Sequence, residues 1–148
     1  MPRIFLDTDI ALDIITQRNP HNIDSNSILR LSSQSLVSLV LSESCVPNLI
    51  YIATESYKID GAYDLIIDLV NSCQLVSSGK KSILAALKSD FIDKEDAVQY
   101  YTALQHDIDY FITRNKKDYE KFVKEVPVFT PSEFLTTVRK SHPDKLDF

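Results

Sequence analysis

The sequence of 148 residues contains few of the residues on which phosphate loops and zinc sites depend. It has 2 glycines, so no Gly-rich phosphate loop of the Walker or Rossmann type can be written, because such loops bring several backbone N–H groups against phosphate. Its 3 histidines form no HExxH pair and its 2 cysteines form no CxxC, which argues against a zinc site of known spacing. Counting does not exclude a site with one histidine beside a serine or cysteine, although no motif for one is present.

Carboxylate is the chemistry that the chain has in quantity, with 21 acids against 16 bases and a formal net charge of -5. This balance argues against a protein that coats nucleic acid along its whole surface, but it allows a local basic rim around an acidic site. Any reaction at this chain is therefore expected to depend on acids, most economically around a hard cation.

The length and composition are those of an ordinary globular domain, 44% hydrophobic and 25% charged. We predict a single domain over residues 1–140 and a loose C-terminal tail over residues 141–148. No apolar run approaches the roughly 18 residues of a membrane helix, and the N-terminus lacks the apolar core of a signal peptide. We therefore expect a cytoplasmic protein without a membrane partner, whose cysteines are buried thiols.

Short apolar runs alternate with helical patterns along the whole chain. The runs predict strands at residues 3–6, 36–41, 74–76, 110–113 and 126–129. The helical patterns begin near residue 10 and continue over residues 22–33, 43–58, 62–72, 80–89, 94–106 and 131–140, with each cysteine assigned to a helix. This alternation predicts an α/β fold with a mostly parallel central sheet that helices cover on both faces.

Polar clusters lie where these strands end or the next helix begins. They are Asp7-Thr8-Asp9, Asn48, Asp93-Lys94-Glu95-Asp96, and Thr113-Arg114-Asn115 with Asp118 one turn on. Because the carboxyl ends of parallel strands meet at one edge of a sheet, we expect the clusters to converge there. Carboxylates within a few ångströms of each other repel strongly unless a divalent cation neutralises them, and Mg²⁺ or Mn²⁺ suits oxygen ligands. The clusters therefore indicate nuclease or phosphatase chemistry.

Each cluster also has a structural interpretation, and the residues alone leave both open. Asp9 can cap the first helix while Asp7 satisfies a turn. Asp93 and Asp96 fit a helix N-cap and an acid in the first turn, where the helix dipole favours negative charge. The cluster after the fourth strand can cap a short helix, and Tyr100-Tyr101 fits core packing better than a base-stacking platform.

Taken in order, these segments resemble the PIN-domain family and, within it, the VapC-type toxin ribonucleases. Residues 3–13 (RIFLDTDIALD) are similar to the family's opening strand, Asp-Thr-Asn or Asp-Thr-Ser turn, and apolar helix. Residues 93–104 (DKEDAVQYYTAL) resemble its second signature, and residues 109–119 (DYFITRNKKDY) its third. Residues 127–135 (PVFTPSEFL) look like the family's ending. The resemblance covers nearly the whole chain, and three motifs in order are far more specific than one.

The resemblance implies a three-layer α/β/α sandwich and metal-dependent cleavage of RNA. Asp7 and Asp96 match the family's first and third invariant acids and are expected to bind Mg²⁺ or Mn²⁺. The family's second acid corresponds to Asn48, which can offer a carbonyl oxygen but carries no charge. Asn115 falls where the family has a fourth acid or an asparagine.

The remaining expected site residues support these positions. Thr113 is expected to orient a carboxylate or a water molecule, so the expected catalytic residues are Asp7, Asp96, Asn48, Asn115 and Thr113. Asp93 and Asp118 are expected as further metal ligands beside Asp7 and Asp96, and Asp9 as a secondary residue. The metal is expected to activate a water molecule for in-line attack on an RNA phosphodiester and to shield the developing charge.

A local excess of cations follows the fourth strand. Arg114, Lys116, Lys117, Lys121 and Lys124 lie within eleven residues, against Asp118 and Glu120, which leaves a charge of +3. The first four are the expected RNA-binding residues, with a solvated helix face as the alternative. The family further implies a small antitoxin partner and a homodimer, for which the helices at residues 49–57 and 63–70 are candidate surfaces.

Three other functions share part of this sequence pattern. A haloacid-dehalogenase-type phosphatase also opens with a strand and Asp-x-Asp, but here an apolar helix follows at Ile10, and a clear partner lysine motif is lacking. A receiver domain needs a central acceptor aspartate, whereas the second strand ends in Ser42. The main alternative is a PIN-like module that binds RNA or a protein without cutting, because Asn48 replaces an acid.

Overall fold

In the computed structural model, which describes residues 1–121 and 125–143, the centre of the chain is a five-stranded sheet. The strands are β1 (Arg3–Leu6), β2 (Ser38–Ser42), β3 (Cys73–Val76), β4 (Tyr110–Ile112) and β5 (Val128–Phe129). They lie in the order β3-β2-β1-β4-β5, and every neighbouring pair is parallel. The carboxyl ends of all five strands therefore point to the same edge of the sheet, as the sequence predicted.

Helices connect the strands and cover the sheet. Within the described residues they are α1 (Thr8–Thr16), α2 (His21–Ser33), α3 (Cys45–Tyr51), α4 (Ala62–Ser72), α5 (Gly79–Lys88), α6 (Lys94–Leu104), α7 (Lys116–Glu120) and α8 (Pro131–Ser141). A π-helical segment, Ile52–Ser56, continues directly from α3. None of the helices in the described ranges combines the length and the apolarity that crossing a bilayer requires.

Two buried clusters show that helices pack on both faces of the sheet. On one face, Ile4, Leu39 and Ile112 pack with residues of α1 to α4 and α8. On the other, Phe5 and Phe111 pack with residues of α5, α6 and α7, because successive residues of a strand point to opposite faces. The predicted α/β/α sandwich is confirmed.

Several predicted boundaries shift by a few residues. β2 begins at Ser38, two residues after the predicted start, and α6 ends at Leu104, two residues before its predicted end, whereas α4 has its predicted bounds, Ala62–Ser72. The assignment of Cys73 to a helix is wrong, since its extended backbone (φ -118°, ψ 156°) caps α4 and opens β3. The assignment of Cys45 to a helix is confirmed, and both thiols are free.

The junction of β1 and α1 places the first acidic cluster at the sheet edge. β1 ends at Leu6 and α1 begins at Thr8, so Asp7 alone connects them and serves as the helix N-cap. At the other end of the chain, α8 begins with a Thr130–Glu133 capping box and ends at Ser141. The predicted single domain and its loose tail stay predictions, and residues 144–148 lie outside the described residues.

Candidate active site at the sheet edge

Asp7 is the most enclosed of the acids expected from the sequence at the site, with 4% of its surface exposed. Its Oδ1 accepts a hydrogen bond from the Thr8 amide at 2.8 Å, which is the N-cap interaction of α1. Its Oδ2 accepts hydrogen bonds from the hydroxyl groups of Thr113 at 2.8 Å and Tyr119 at 2.9 Å. Segments more than 100 residues away thus fix the orientation of this carboxylate.

The protonation of Asp7 is set by its surroundings. Burial is the largest cause and the negative charge of Asp9 the second, and together they raise the pKa of Asp7 to about 7. The hydrogen bonds from Thr113, Tyr119 and Thr8 act in the opposite direction, because they favour the ionised form. Burial and a like charge both penalise a carboxylate, and three donors offset that penalty only in part. Asp7 therefore carries an incompletely neutralised charge near neutral pH.

Asp96 approaches the same point from α6. The N-cap of this helix is Asp93, whose Oδ1 accepts from the Asp96 amide at 3.1 Å and so places Asp96 in the first turn. Burial raises the pKa of Asp96 to about 7, with Asp7 and then Asp93 contributing as like charges. The phenol of Tyr119 lies against both acids, and its own pKa is raised by burial and by the charges of Asp7 and Asp96. Asp7, Tyr119 and Asp96 therefore form one connected group.

Asp9 ties the loop after β4 to α1. Its Oδ2 accepts from the Arg114 amide at 3.2 Å and from the Asn115 side-chain amide at 3.3 Å. Its Oδ1 is buried and has no hydrogen-bond partner within the described part of the chain. Burial raises the pKa of Asp9 to about 6, although the neighbouring Arg114 lowers it. Asp9 thus holds Asn115 close to the Asp7 end of the site.

Two depressions meet at Asp96. A cleft of about 420 Å³ between α3 and α6 has Asn48 and Asp96 among its lining residues. A smaller depression of about 180 Å³ brings together Asp93, Asp96, Asp118 and two lysines, which are Lys117 and Lys121. The structure therefore gathers all of the expected catalytic and metal-binding residues at one edge of the sheet.

The four expected RNA-binding cations differ in their partners. The Arg114 Nε donates to Asp13 Oδ2 at 2.7 Å, and the Asp13 side chain is 2% exposed. Lys116 pairs with Glu133 at 2.9 Å on the surface. Lys117 and Lys121 form no ion pair within residues 1–121 and 125–143, and Lys124 lies outside those ranges. Of the four, Lys117 and Lys121 are therefore the cations most available to phosphate.

The donor set fits a hard divalent cation. Asp7 and Asp96 concentrate charge in a buried place, and Asp9 presents a buried oxygen without a described donor. These are oxygen ligands of the kind that Mg²⁺ and Mn²⁺ prefer. The described residues do not contain three acids, histidines or cysteines grouped closely enough to form a complete metal site. A cation here would depend on two acids together with neutral oxygen donors.

Three contributors were not identified as site residues from the sequence. Tyr119 lies at the end of the third motif, but its hydroxyl contact with Asp7 depends on how α7 packs. Asp13 lies four residues after Asp9 on α1, a spacing that places both on one helix face and could have indicated a shared partner. Gln99 lies three residues after Asp96 and donates from Nε2 to Thr8 Oγ1 at 3.2 Å.

Comparison with solved structures gives the same fold. The chain is similar to VapBC2 from Rickettsia felis bound to a promoter DNA fragment, at 13% identity and a TM-score of 0.66, covering 86% of this chain and 98% of that one. It is similar to DNA-bound VapBC from Salmonella typhimurium, at 15% identity and a TM-score of 0.66, covering 88% of this chain and 99% of that one. It is also similar to the sarcin-ricin loop cleaving toxin VapC20 from Mycobacterium tuberculosis, at 14% identity and a TM-score of 0.62, covering 84% of this chain and 99% of that one.

Comparison at the level of sequence identifies the family. No curated protein sequence matches the chain. A family model described as a PIN domain matches residues 3–117, a range that contains Asp7, Asn48, Asp96 and Asn115. The order of the strands, the convergence of the acids and this match agree, and the chain belongs to the PIN-domain family.

Proposed function

We propose that this protein is a metal-dependent endoribonuclease that hydrolyses RNA phosphodiester bonds. The observation that carries the proposal is the connected group of Asp7, Tyr119 and Asp96 at the carboxyl edge of the sheet. Buried Asp7 and half-buried Asp96, whose pKa values are both raised to about 7, form an arrangement that a divalent cation stabilises. Membership of the PIN-domain family supports nuclease activity in general.

Asp7 and Asp96 are the proposed ligands of Mg²⁺ or Mn²⁺, with Asp93 and Asp118 beside Asp96 as further ligands through water. Such a cation supplies Lewis acidity and an acidified water molecule. Thr113 fixes Asp7 through its hydroxyl group, and Asn115 is positioned by Asp9. These contacts orient the side chains at the reacting edge, so that a bound phosphodiester meets positioned groups.

RNA is proposed to lie along the depression beside Asp96 that contains Lys117 and Lys121. These cations are placed to neutralise phosphate without losing an ion-pair partner among the described residues. Arg114 and Lys116 remain proposed contributors to RNA binding, but Arg114 is already paired with Asp13 and Lys116 with Glu133. We therefore assign Arg114 first to anchoring the loop after β4.

Cleavage of a structured RNA by the purified protein tests this proposal. The wild type is expected to cut after Mn²⁺ is added and to stop when the metal is chelated. Asp7→Asn and Asp96→Asn are expected to lower the rate at least 100-fold, because each removes a charge from the proposed cation site. Asp68→Asn, an exposed change on α4, is the matched control and should retain the wild-type rate. Equal cutting by wild type and both site variants would show that the assignment is wrong.

We further propose that the protein is the toxin of a toxin–antitoxin pair, with a small antitoxin as its partner and the cytoplasm as its location. Structures of VapBC complexes from Rickettsia felis and Salmonella typhimurium support this proposal through their shared fold. A small neighbouring gene is the expected source of the antitoxin. Its product should co-purify with this chain and suppress RNA cleavage; a neighbour that neither binds nor inhibits contradicts the pairing.

Homodimerisation is proposed through the helices after β2. Tyr51, Tyr63 and Ile67 expose 62%, 64% and 54% of their surfaces, which is unusual for large apolar side chains. The chain has a mass of 16.9 kDa, and light scattering at micromolar concentration should give twice that mass. Ile67→Lys should shift the mass to that of a monomer, and a monomeric wild type would contradict the proposal.

A second candidate function is a PIN-like module that binds RNA or a protein without cutting. It is favoured by the neutral, exposed Asn48 and by the lack of a grouped three-acid site among the described residues. Binding of Mn²⁺ separates the two functions, because a nuclease of this kind must hold its cation at millimolar concentration or below. Binding of RNA without binding of Mn²⁺ would favour the module.

A further inference from the structure

The cleft between α3 and α6 has a different chemistry from the depression on the other side of Asp96. Ser44, Pro47, Asn48, Glu95, Val98 and Gln99 are among the residues that line it. No lysine or arginine lines it in the part of the chain that the structure describes, whereas Lys117 and Lys121 line the neighbouring depression. A phosphate therefore has a favourable place on one side of Asp96 and an unfavourable one on the other.

Gln99 provides the second observation. It is 7% exposed, its Nε2 donates to Thr8 Oγ1 at 3.2 Å, and its Oε1 is buried with no hydrogen-bond partner in the described residues. A buried amide oxygen without a donor is rare in folded proteins and carries a desolvation penalty. Because Gln99 also lines the cleft, a ligand that carries an N–H group is a suitable donor for this amide oxygen.

The cleft is large enough to admit a nucleobase, and its lining combines apolar contacts with hydrogen-bond acceptors. Its volume of about 420 Å³ lies at the lower end of the range for small-molecule sites. Pro47 and Val98 offer apolar contact, and the acceptor groups of Glu95 and Gln99 favour N–H donors. Glu95 is exposed, so its carboxylate is accessible from the cleft. These groups suit a base that carries an exocyclic amino group better than they suit uracil.

We propose that this cleft binds a single extruded nucleobase next to the scissile phosphate, and that Gln99 together with Glu95 makes the protein prefer bases with an exocyclic amino group. The proposal rests on the proposed ribonuclease function. It adds that the backbone and one base of the RNA bind on opposite sides of Asp96. The backbone runs past Lys117 and Lys121, while the neutral base turns into the cleft. Selection then depends on the base beside the cut and not on a long paired sequence.

The experiment uses the full chain, Mn²⁺ and a pool of short RNAs with random sequence. Sequencing of the product ends gives the base frequencies on both sides of each cut. For the wild type we expect one flanking position at which uracil is under-represented by roughly five- to tenfold, the effect of one or two hydrogen bonds. Gln99→Met keeps the length of the side chain and should reduce this bias to twofold or less, while Mn²⁺ binding measured by calorimetry stays unchanged.

Two further variants separate base recognition from a structural role. Thr8→Val removes the anchor of Gln99 but keeps its amide, so most of the bias should survive. Glu95→Gln changes an exposed residue in the first turn of α6 and should reduce the bias even if Gln99→Met fails to fold. Lys121→Gln should slow cutting of all sequences alike and leave the bias intact.

The outcomes are distinguishable from failure of the proposed function. If the wild type cuts no RNA, both proposals fall. If it cuts without bias, or if Gln99→Met and Glu95→Gln both keep the full bias, the base site is wrong and the ribonuclease proposal stands. If Thr8→Val removes the bias as completely as Gln99→Met, Gln99 acts through its anchor and the base site is also overturned.

Discussion

The hydroxyl group of Tyr119 donates a hydrogen bond to Oδ2 of Asp7 at 2.9 Å, across 112 positions of sequence. Tyr119 is fully buried, and its ring packs against Phe111 with the centroids 4.7 Å apart. The aromatic core below α7 thus holds a donor against the buried carboxylate of Asp7. The core and the acidic site are in direct contact, so a substitution in one should change the stability or ionisation of the other.

Tyr119→Phe removes this donor and keeps the ring. At pH 8 we expect the free energy of unfolding to fall by about 1.5–3 kcal/mol, the range for a hydrogen bond to a charged group. Chemical denaturation measures the change. In an Asp7→Asn background the same substitution should cost clearly less, because the charged acceptor is gone. An equal cost in both backgrounds would show that the two residues are not coupled.

Asp7→Asn should stabilise the metal-free protein at high pH. The pKa of Asp7 is about 7 in the folded state against its ordinary value of 3.8, so the folded state binds this proton more tightly than the unfolded state does. Stability is therefore lost as the pH rises from about 4 to 7, and the loss is complete above the folded pKa. The substitution should recover on the order of 2–4 kcal/mol at pH 8, a rise of several degrees in Tm.

The same comparison at lower pH checks the sign. Thermal unfolding of Asp7→Asn and wild type should converge as the pH falls towards 4, because wild-type Asp7 is then protonated when folded. Asp68→Asn, on the exposed face of α4, should show no such trend. A variant that is less stable than wild type at every pH would refute the assignment of a buried, penalised charge.

Arg114→Gln should affect stability more than RNA affinity. It leaves the buried carboxylate of Asp13 without its partner at 2.7 Å, which we expect to cost about 2–3 kcal/mol. In an Asp13→Asn background the cost should largely disappear, which denaturation of the double variant would show. If Arg114→Gln instead weakens RNA binding and leaves stability unchanged, the residue acts mainly on phosphate.

Lys117→Gln and Lys121→Gln should show the opposite behaviour. Each should lower RNA affinity, reduce the slope of log K against log salt by about 0.7, and leave stability nearly unchanged. Fluorescence titrations of RNA at several salt concentrations give the slope. Lys116→Gln is the matched comparison, and because Lys116 is paired with Glu133 its effect on the slope should be smaller. Equal slopes for all three variants would contradict the proposed path of the backbone.

Asn48→Asp should strengthen metal binding, because it adds a charge to the cleft that Asp96 lines. Asn48 is exposed, so the change should be tolerated by the fold. We expect Mn²⁺ to bind about tenfold more tightly, a modest Coulomb gain at a partly solvated position. Asn71→Asp makes the same change of net charge at the far end of α4 and should have no effect. Unchanged affinity for Asn48→Asp would separate this residue from the cation site.

The sequence was sufficient for the architecture and for the convergence of the acids. Alternating strands and helices predicted a parallel sheet, and such a sheet brings Asp7 and Thr113 together because β1 and β4 are neighbours. Cys73 shows where local pattern was insufficient. The end of a helix and the start of an edge strand are only one residue apart there, and apolar pattern does not resolve such a boundary.

The partners of individual side chains could not be predicted in this way. The Arg114–Asp13 pair joins positions 101 residues apart, and a positive residue after a strand was interpreted as a phosphate contact. Only packing shows that Arg114 turns back to α1. The same holds for the phenol of Tyr119 and the amide of Gln99, whose residue types suggest core or helix surface until the neighbouring elements are in place.

The central claim is that Asp7 and Asp96 form one cation site, and calorimetric titration of Mn²⁺ at pH 8 tests it most directly. At this pH both acids are largely ionised, since their pKa values are about 7. We predict one binding event in the wild type, a loss of at least tenfold in affinity for Asp7→Asn and for Asp96→Asn, and no further loss in the double variant once either acid is gone. Wild-type affinity in both single variants would contradict the account.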